Sequence, residues 1–243
     1  MAELKFLKNL KKNHKLVPYL EELIADPSMI EEFVFEYSAK VSDDAFHPSG
    51  DCTTSIEDLH HKIMGTGEVR DWSGMEKTFM VGHFWHAYLQ HLLVQGGLAS
   101  SETIEHNHKM RWGQRPYEWA TGSADVSSCQ IPEEGDYLVD FKTMSSFQYK
   151  SSGVPDWAAL KYEAQISVYM DWFGLDRALI VAINKDGAHD LKEFEYEANP
   201  DMASAIFTKW ELAGRVAYEG LKLLDDEEEI LDLAQYSKGP IQQ

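Results

Sequence analysis

The stretch Gly122–Lys142, GSADVSSCQIPEEGDYLVDFK, decides how the rest of the chain is read. It contains two strand-prone runs joined by a tight acidic turn, Glu133-Glu134-Gly135-Asp136. Asp125 falls on the first run, and Asp140 and Lys142 fall two residues apart on the second. Side chains alternate along a strand, so Asp140 and Lys142 share a face while Phe141 turns into the core. Two carboxylates and an amine then occupy one small volume. Carboxylates that close repel unless something positive lies between them, and a divalent cation is the usual solution. A lysine beside such an ion can hold or polarise a water.

Upstream, the spacing predicts a long helix from Met75 to Gln95, stopped by Gly96-Gly97. Val81, Phe84, Trp85, Tyr88 and Leu92 form its expected core stripe, with Gly82, His86 and Gln90 on a neighbouring line. A glycine one turn before a histidine allows close approach to that histidine. His83 and His91 lack such support and read as packing or surface residues. Further upstream, residues 3–24 have helical periodicity broken at Pro18, and 46–52 reads as a loop from its Pro and Gly. Thr54 or Ser55 caps a helix from Ile56 to Met64, which Gly65 ends. His60 and His61 read as surface residues.

Strands are expected over 103–112, 117–127 and 137–143. His106 and His108 alternate on the first of these, either as a metal pair or as a polar strand face. Downstream, Pro155 opens a helix to Phe173. Lys161, Gln165 and Tyr169 line up on one side of it, and Trp157, Leu160, Ala164 and Val168 pack on the other. Strands at 177–184 and 191–197 and a last helix after Pro200 complete the pattern, with Ile206, Trp210, Ala213, Ala217 and Leu224 as the helix's buried line. This order predicts an α/β fold with a mixed central sheet flanked by helices. The expected divisions are a helical N-terminal extension (1–73), a core (74–200), and a C-terminal helix with an acidic tail packed on it (201–243).

At 243 residues, 44% of them hydrophobic, the chain can bury a full core. Its mean hydropathy of −0.40 is that of a soluble globular protein. No run of about 18 apolar residues is present, and neither a membrane span nor a secretory leader is expected. Cys52 and Cys129 alone cannot make a disulfide scaffold, which fits a reducing, cytoplasmic setting. With 22 Lys and Arg against 41 Asp and Glu, the net charge is −19. That argues against a broad DNA-coating surface but not against a local one. Lys5, Lys8, Lys11, Lys12 and Lys15 concentrate positive charge at the N-terminus, and Asp225 to Glu229 with Asp232 form an acidic cluster near the C-terminus. The basic arm is either a solvated amphipathic helix or a lever that touches substrate or a protein partner.

Taken together, Gly82-x-x-x-His86, Gly122-x-x-Asp125, Asp140-x-Lys142 and Gln165-x-x-x-Tyr169 resemble the motifs of PD-(D/E)XK nucleases. They are similar in particular to the RecB-like branch, which includes phage exonucleases and CRISPR-adaptation nucleases. A lone D-x-K occurs by chance in many chains; four motifs in order, on the expected elements, are far more specific.

The resemblance implies a restriction-endonuclease-like core and a metal-dependent DNA nuclease, an exonuclease in recombination, repair or phage DNA processing in a bacterial or phage-infected cell. It implies that His86, Asp125, Asp140 and the carbonyl of Phe141 ligate Mg²⁺ or Mn²⁺, with histidine favouring Mn²⁺. Lys142 would position the attacking water and stabilise charge on the phosphate, and Gln165 and Tyr169 would shape the site or contact the DNA backbone. Some members of the branch hold an iron–sulfur cluster on one early and three late cysteines. Cys52 stands near the early place, but no cysteine follows Cys129, so no such cluster is expected. Two alternatives stay open. One is a catalytically idle nuclease fold whose acidic tail recruits a basic partner; the other is a zinc protein using His83, His86, Cys52 or Cys129.

Overall fold

The structure is a computed structural model and describes residues 14–30, 33–36, 45–67, 74–113, 118–150, 156–186, 190–220 and 232–241. Helix α1 (Val17–Ala25) and a 3₁₀ turn at Pro27–Ile30 come first, followed by a one-turn helix α2 (Pro48–Asp51), α3 (Ile56–Met64) and α4 (Glu76–Gln95). Next are strands β1 (Ile104–Arg111), β2 (Trp119–Ile131) and β3 (Gly135–Met144), short helix α5 (Ser146–Lys150) and long helix α6 (Asp156–Phe173). Strands β4 (Arg177–Asn184) and β5 (Leu191–Glu197), helix α7 (Pro200–Glu219) and a 3₁₀ turn at Leu233–Tyr236 complete the order.

The five strands lie side by side in sequence order, β1-β2-β3-β4-β5. Only β3 and β4 are parallel, because α5 and α6 intervene and carry the chain back across the sheet. The other neighbours pair antiparallel. This is a mixed α/β sheet flanked by helices, the fold class expected from the sequence. On one face α4 and α1 cover Val126, Val139, Phe141 and Val181. On the other, α6 lies on Ala124, Leu138 and Ile180. A further layer of α3 and α7 packs outside α6.

Local signals explain several ends. Ser55 caps α3 by accepting a hydrogen bond from Asp58 N, and Gly65 ends it in the left-handed region at φ 65°. In the β2–β3 turn Gly135 has φ 101°, a conformation that only glycine adopts cheaply, and places Asp136 opposite Gln130.

Three expectations need correction. Residues 46–52 are not a plain loop. Phe46 forms a single bridge to Ala120, and Pro48–Asp51 makes a helical turn whose Asp51 carboxylate accepts from His47 N at 2.7 Å and from Lys62 Nζ at 2.5 Å. The Phe46 ring is stacked between Trp112 and Trp210, at centroid distances of 6.2 and 5.6 Å. Such aromatic pairs add roughly 0.5–1.5 kcal/mol each beyond burial, enough to override a Pro-Gly signal.

The expected stripe on α4 is also half wrong. Tyr88, Leu89, Leu92 and Leu93 are buried, whereas Val81 and Phe84 are more than a third exposed, because only the C-terminal half of α4 lies under the sheet. Helix α6 turns its polar line inward, with Gln165 and Tyr169 buried. Its middle, from Glu163 to Met170, is buried all round, since the sheet covers one flank and α7 the other.

Lys15 is not a free basic residue either: it is ion-paired to Glu134 and Glu195 and bonds the Tyr137 hydroxyl. Lys5, Lys8, Lys11 and Lys12, the cluster 225–229, Leu224 and the side chains of Lys150 and Trp157 lie outside the described residues. Among the described residues no helix is long and apolar enough to cross a membrane.

Candidate active site

Three elements bring the motif residues together at one end of the sheet. Strand β3 carries Asp140 and Lys142, which face α6, while Phe141 is fully buried under α4, as alternation requires. Strand β2 carries Asp125 just before the register shift between Val126 and Cys129. Its Oδ2 accepts the Phe141 backbone N–H at 2.7 Å, which locks the carboxylate to β3. Helix α4 supplies His86, whose Nδ1 lies 3.3 Å from Asp125 Oδ1. One turn earlier, Gly82 lets the helix come close to β3: a methyl group at Gly82 would stand 3.3 Å from Thr143 Oγ1. Gln90, one turn later, donates to the Asp125 carbonyl at 3.0 Å and to Glu105 Oε1 at 3.1 Å.

From α6, Gln165 bridges the two β3 side chains. Its Nε2 donates to Asp140 Oδ1 at 3.2 Å, and its Oε1 accepts from Lys142 Nζ at 3.1 Å. Tyr169, one turn on, is buried and abuts Gly122, where an added methyl group would meet its hydroxyl at 3.0 Å. The glycine of the Gly122-x-x-Asp125 motif is therefore required for close packing at the floor of the site. These residues line a cleft of about 580 Å³.

The electrostatics are those of a compensated cluster. Burial pushes the Asp125 carboxyl up, but the His86 imidazole, Lys142 and the Phe141 N–H outweigh it and hold Asp125 below the usual carboxylate range. Asp140 goes the other way. Burial, with the Asp125 charge nearby, raises it despite the Lys142 ammonium. Burial lowers Lys142 and His86, but the two carboxylates more than offset this and leave both above their ordinary values.

Among the described residues no three His, Cys, Asp or Glu side chains converge as a ready-made metal site. The positive charge beside the carboxylates is that of Lys142, with Nζ 2.6 Å from Asp140 Oδ2, while His86 lies against Asp125. The donor set nevertheless suits a hard divalent ion. Asp140 Oδ2 is buried with the Lys142 ammonium as its close partner, at 2.6 Å, a place on the carboxylate that a cation can take.

The other histidines separate cleanly. His106 bonds Ser127 Oγ at 3.0 Å and packs on Phe173, and His108 stacks on Trp172, so the pair on β1 is a packed strand face. His91 bonds the Met29 carbonyl, and His61 bonds Thr66 Oγ1. Cys52 and Cys129 are buried and far apart in the fold, and burial pushes both thiols up, as expected of inert core residues.

Sequence reasoning missed several residues of the cleft wall. His47 and Ser49 arrive with the Phe46 bridge, His83 lies one residue from a turn before His86, and Asn107 and Lys109 come from β1. The alternation of Asn107 with Lys109 on a strand next to Asp125 was a usable signal; the packing of His47 was not.

No protein-family model matches the chain, and no curated protein matches it. Among solved structures it is similar to SSO0001 (TM-score 0.48, 16% identity, 84% of this chain and 86% of that chain covered). It is also similar to a protein from Eubacterium rectale provisionally named an exonuclease (TM-score 0.41, 12% identity, 79% of this chain and 94% of that chain covered).

Proposed function

We propose that the protein is a divalent-metal-dependent DNA nuclease of the RecB-like PD-(D/E)XK branch, acting on strand ends. The observation that carries this reading is the convergence of Asp125, Asp140, Lys142 and Gln165 from three separate elements on one cleft, with His86 against Asp125.

In this reading His86, Asp125, Asp140 and the Phe141 carbonyl hold Mg²⁺ or Mn²⁺. When bound, the ion supplies a Lewis acid and lowers the pKa of a bound water. Lys142, steadied by Gln165 Oε1, directs its ammonium at the attacking water and a non-bridging phosphate oxygen. Gln165 also fixes Asp140 through Oδ1, which leaves Oδ2 to Lys142. Tyr169 sets the floor beside Gly122 and excludes water from beneath the cluster.

The test is incubation with end-labelled linear and closed circular DNA plus Mn²⁺, beside Asp125→Ala and Asp140→Ala. Loss of label from linear DNA alone marks an exonuclease; nicking of circles marks an endonuclease. Cleavage by either variant at the wild-type rate overturns the site. His86→Ala should weaken Mn²⁺ binding in a calorimetric titration by at least roughly tenfold, since even outer partners of ligands cost that much. Unchanged affinity returns His86 to a packing role.

A further inference from the structure

Lys109 and Arg111 form a second constellation at the lip of the cleft. Both lie on β1 two residues apart, so their side chains leave one face, and both are exposed. In the β1–β2 ladder Lys109 is opposite Thr121 and Arg111 is opposite Trp119. The indole of Trp119 lies under both cations, 4.4 Å from Lys109 Nζ and 5.1 Å from the Arg111 guanidinium carbon. Lys109 also lines the cleft that holds Asp125 and Asp140.

Position at the cleft, together with the absence of a carboxylate partner, sets this pair apart. Lys15, Lys62, Lys142 and Arg215 are each ion-paired to a carboxylate. Among the described residues, Lys109 and Arg111 contact the indole and no carboxylate. In a chain of net charge −19, two uncommitted cations beside an acidic cleft define where a polyanion is held. Glu105, a carboxylate of the same wall, is engaged by Gln90. Cations on an edge strand also discourage pairing with other chains. That role requires neither Lys109 in the cleft wall nor both cations ordered on one ring.

We propose that Lys109 and Arg111, ordered on Trp119, grip phosphates of the DNA strand that leads from the cleft along the β1 edge. Residues two apart on a strand are separated by roughly 7 Å, far enough for each cation to take a phosphate of its own. The proposal rests on the nuclease reading and names the path by which its substrate is held.

The test measures binding of a labelled single-stranded oligothymidylate to the full chain in EDTA, over about 50 to 200 mM salt. Two lost phosphate contacts should flatten the slope of log affinity against log salt by about 1.4 in Lys109→Ala/Arg111→Ala. KM for cleavage should rise, and Mn²⁺ affinity should stay as in the wild type. The charge-preserving pair Lys109→Arg/Arg111→Lys should keep the wild-type slope. An unchanged slope in the alanine pair overturns the lip while leaving the nuclease reading intact. Equal loss in both pairs also overturns it, because packing on Trp119 rather than charge would then be responsible. A wild-type protein that neither binds nor cleaves DNA removes the nuclease reading and the lip together.

Discussion

Glu163 and Asp140 are buried to the same depth, 3% exposed each, and they are treated in opposite ways. The Glu163 carboxylate, on α6, accepts from Ser237 Oγ at 2.6 Å, Lys238 N at 2.8 Å, Gly239 N at 3.2 Å and Asn199 Nδ2 at 3.4 Å. Every donor is neutral, and together they clasp residues 237–239 onto the helix. Asp140, across the helix, has one hydrogen bond from Gln165 on Oδ1 and the Lys142 ammonium on Oδ2. A carboxylate that only holds structure has its charge spread over fixed dipoles. One held by an ammonium, next to a second carboxylate, has a charged partner that can be exchanged for another cation. Burial depth does not tell them apart; the kind of partner does.

The largest effect should come from Asp140→Asn, which keeps shape and removes charge. Cleavage in single-turnover assays should fall by at least roughly 10³-fold, about 4 kcal/mol of barrier. The urea midpoint should hold or rise, because Asp125 loses a repelling neighbour. If Asp140→Asn unfolds the protein instead, the contrast with Glu163 is broken. Next comes Glu163→Ala. It strands several buried donors and should cost about 3 kcal/mol in urea unfolding. The cleavage rate per folded molecule should change far less than in Asp140→Asn.

A third buried charge sharpens the contrast. Lys209 on α7 donates to the Cys52 carbonyl, and burial lowers its pKa to about 8, with Asp51 only partly opposing. The unfolded lysine titrates near 10.4, so between about pH 8 and 10.4 the unfolded chain holds more protons and stability gains as pH rises. Relative to Lys209→Met, the wild type should gain on the order of 2 kcal/mol across that window, read from paired urea curves. A flat difference would mean that Lys209 is solvated as a charge.

The smallest effect belongs to Gly82→Ala. Alanine favours the helix by up to about 1 kcal/mol, and the contact with Thr143 opposes this. The melting temperature should move little while cleavage falls, since the helix carrying His86 must shift. Unchanged cleavage would show that its position is not critical.

Much of the scaffold was legible because its signals are local. Ser55 and Gly65 bound α3, Gly135 turns β2 into β3, and period-two spacing puts Asp140 and Lys142 on one face with Phe141 behind. The meeting of Asp125 with Asp140 followed from the hairpin alone. The non-local contacts were not legible. Nothing in Phe46-His47-Pro48 announces two tryptophans, one from the end of β1 and one from α7, that pull this segment to the cleft. Periodicity shows that a helix has an apolar side but not how far along its length the sheet reaches, which is why Val81 and Phe84 were misplaced. The burial of Glu163 was equally hidden, because most of its donors lie more than seventy residues away.

The two borders of the sheet carry a last consequence. Along β5, Ile241 N donates to the Glu195 carbonyl at 2.8 Å, while the Glu193 carboxylate takes the backbone N–H groups of Leu16 and Val17 at the start of α1, each at 2.9 Å. Along β1, Glu105 has φ 47°, a local departure from extended backbone on the edge where a visiting strand would dock. One border is occupied and the other is crooked and charged. At high concentration the protein therefore offers other chains no straight template on which to polymerise, and its colloidal behaviour should follow its charge rather than its strands.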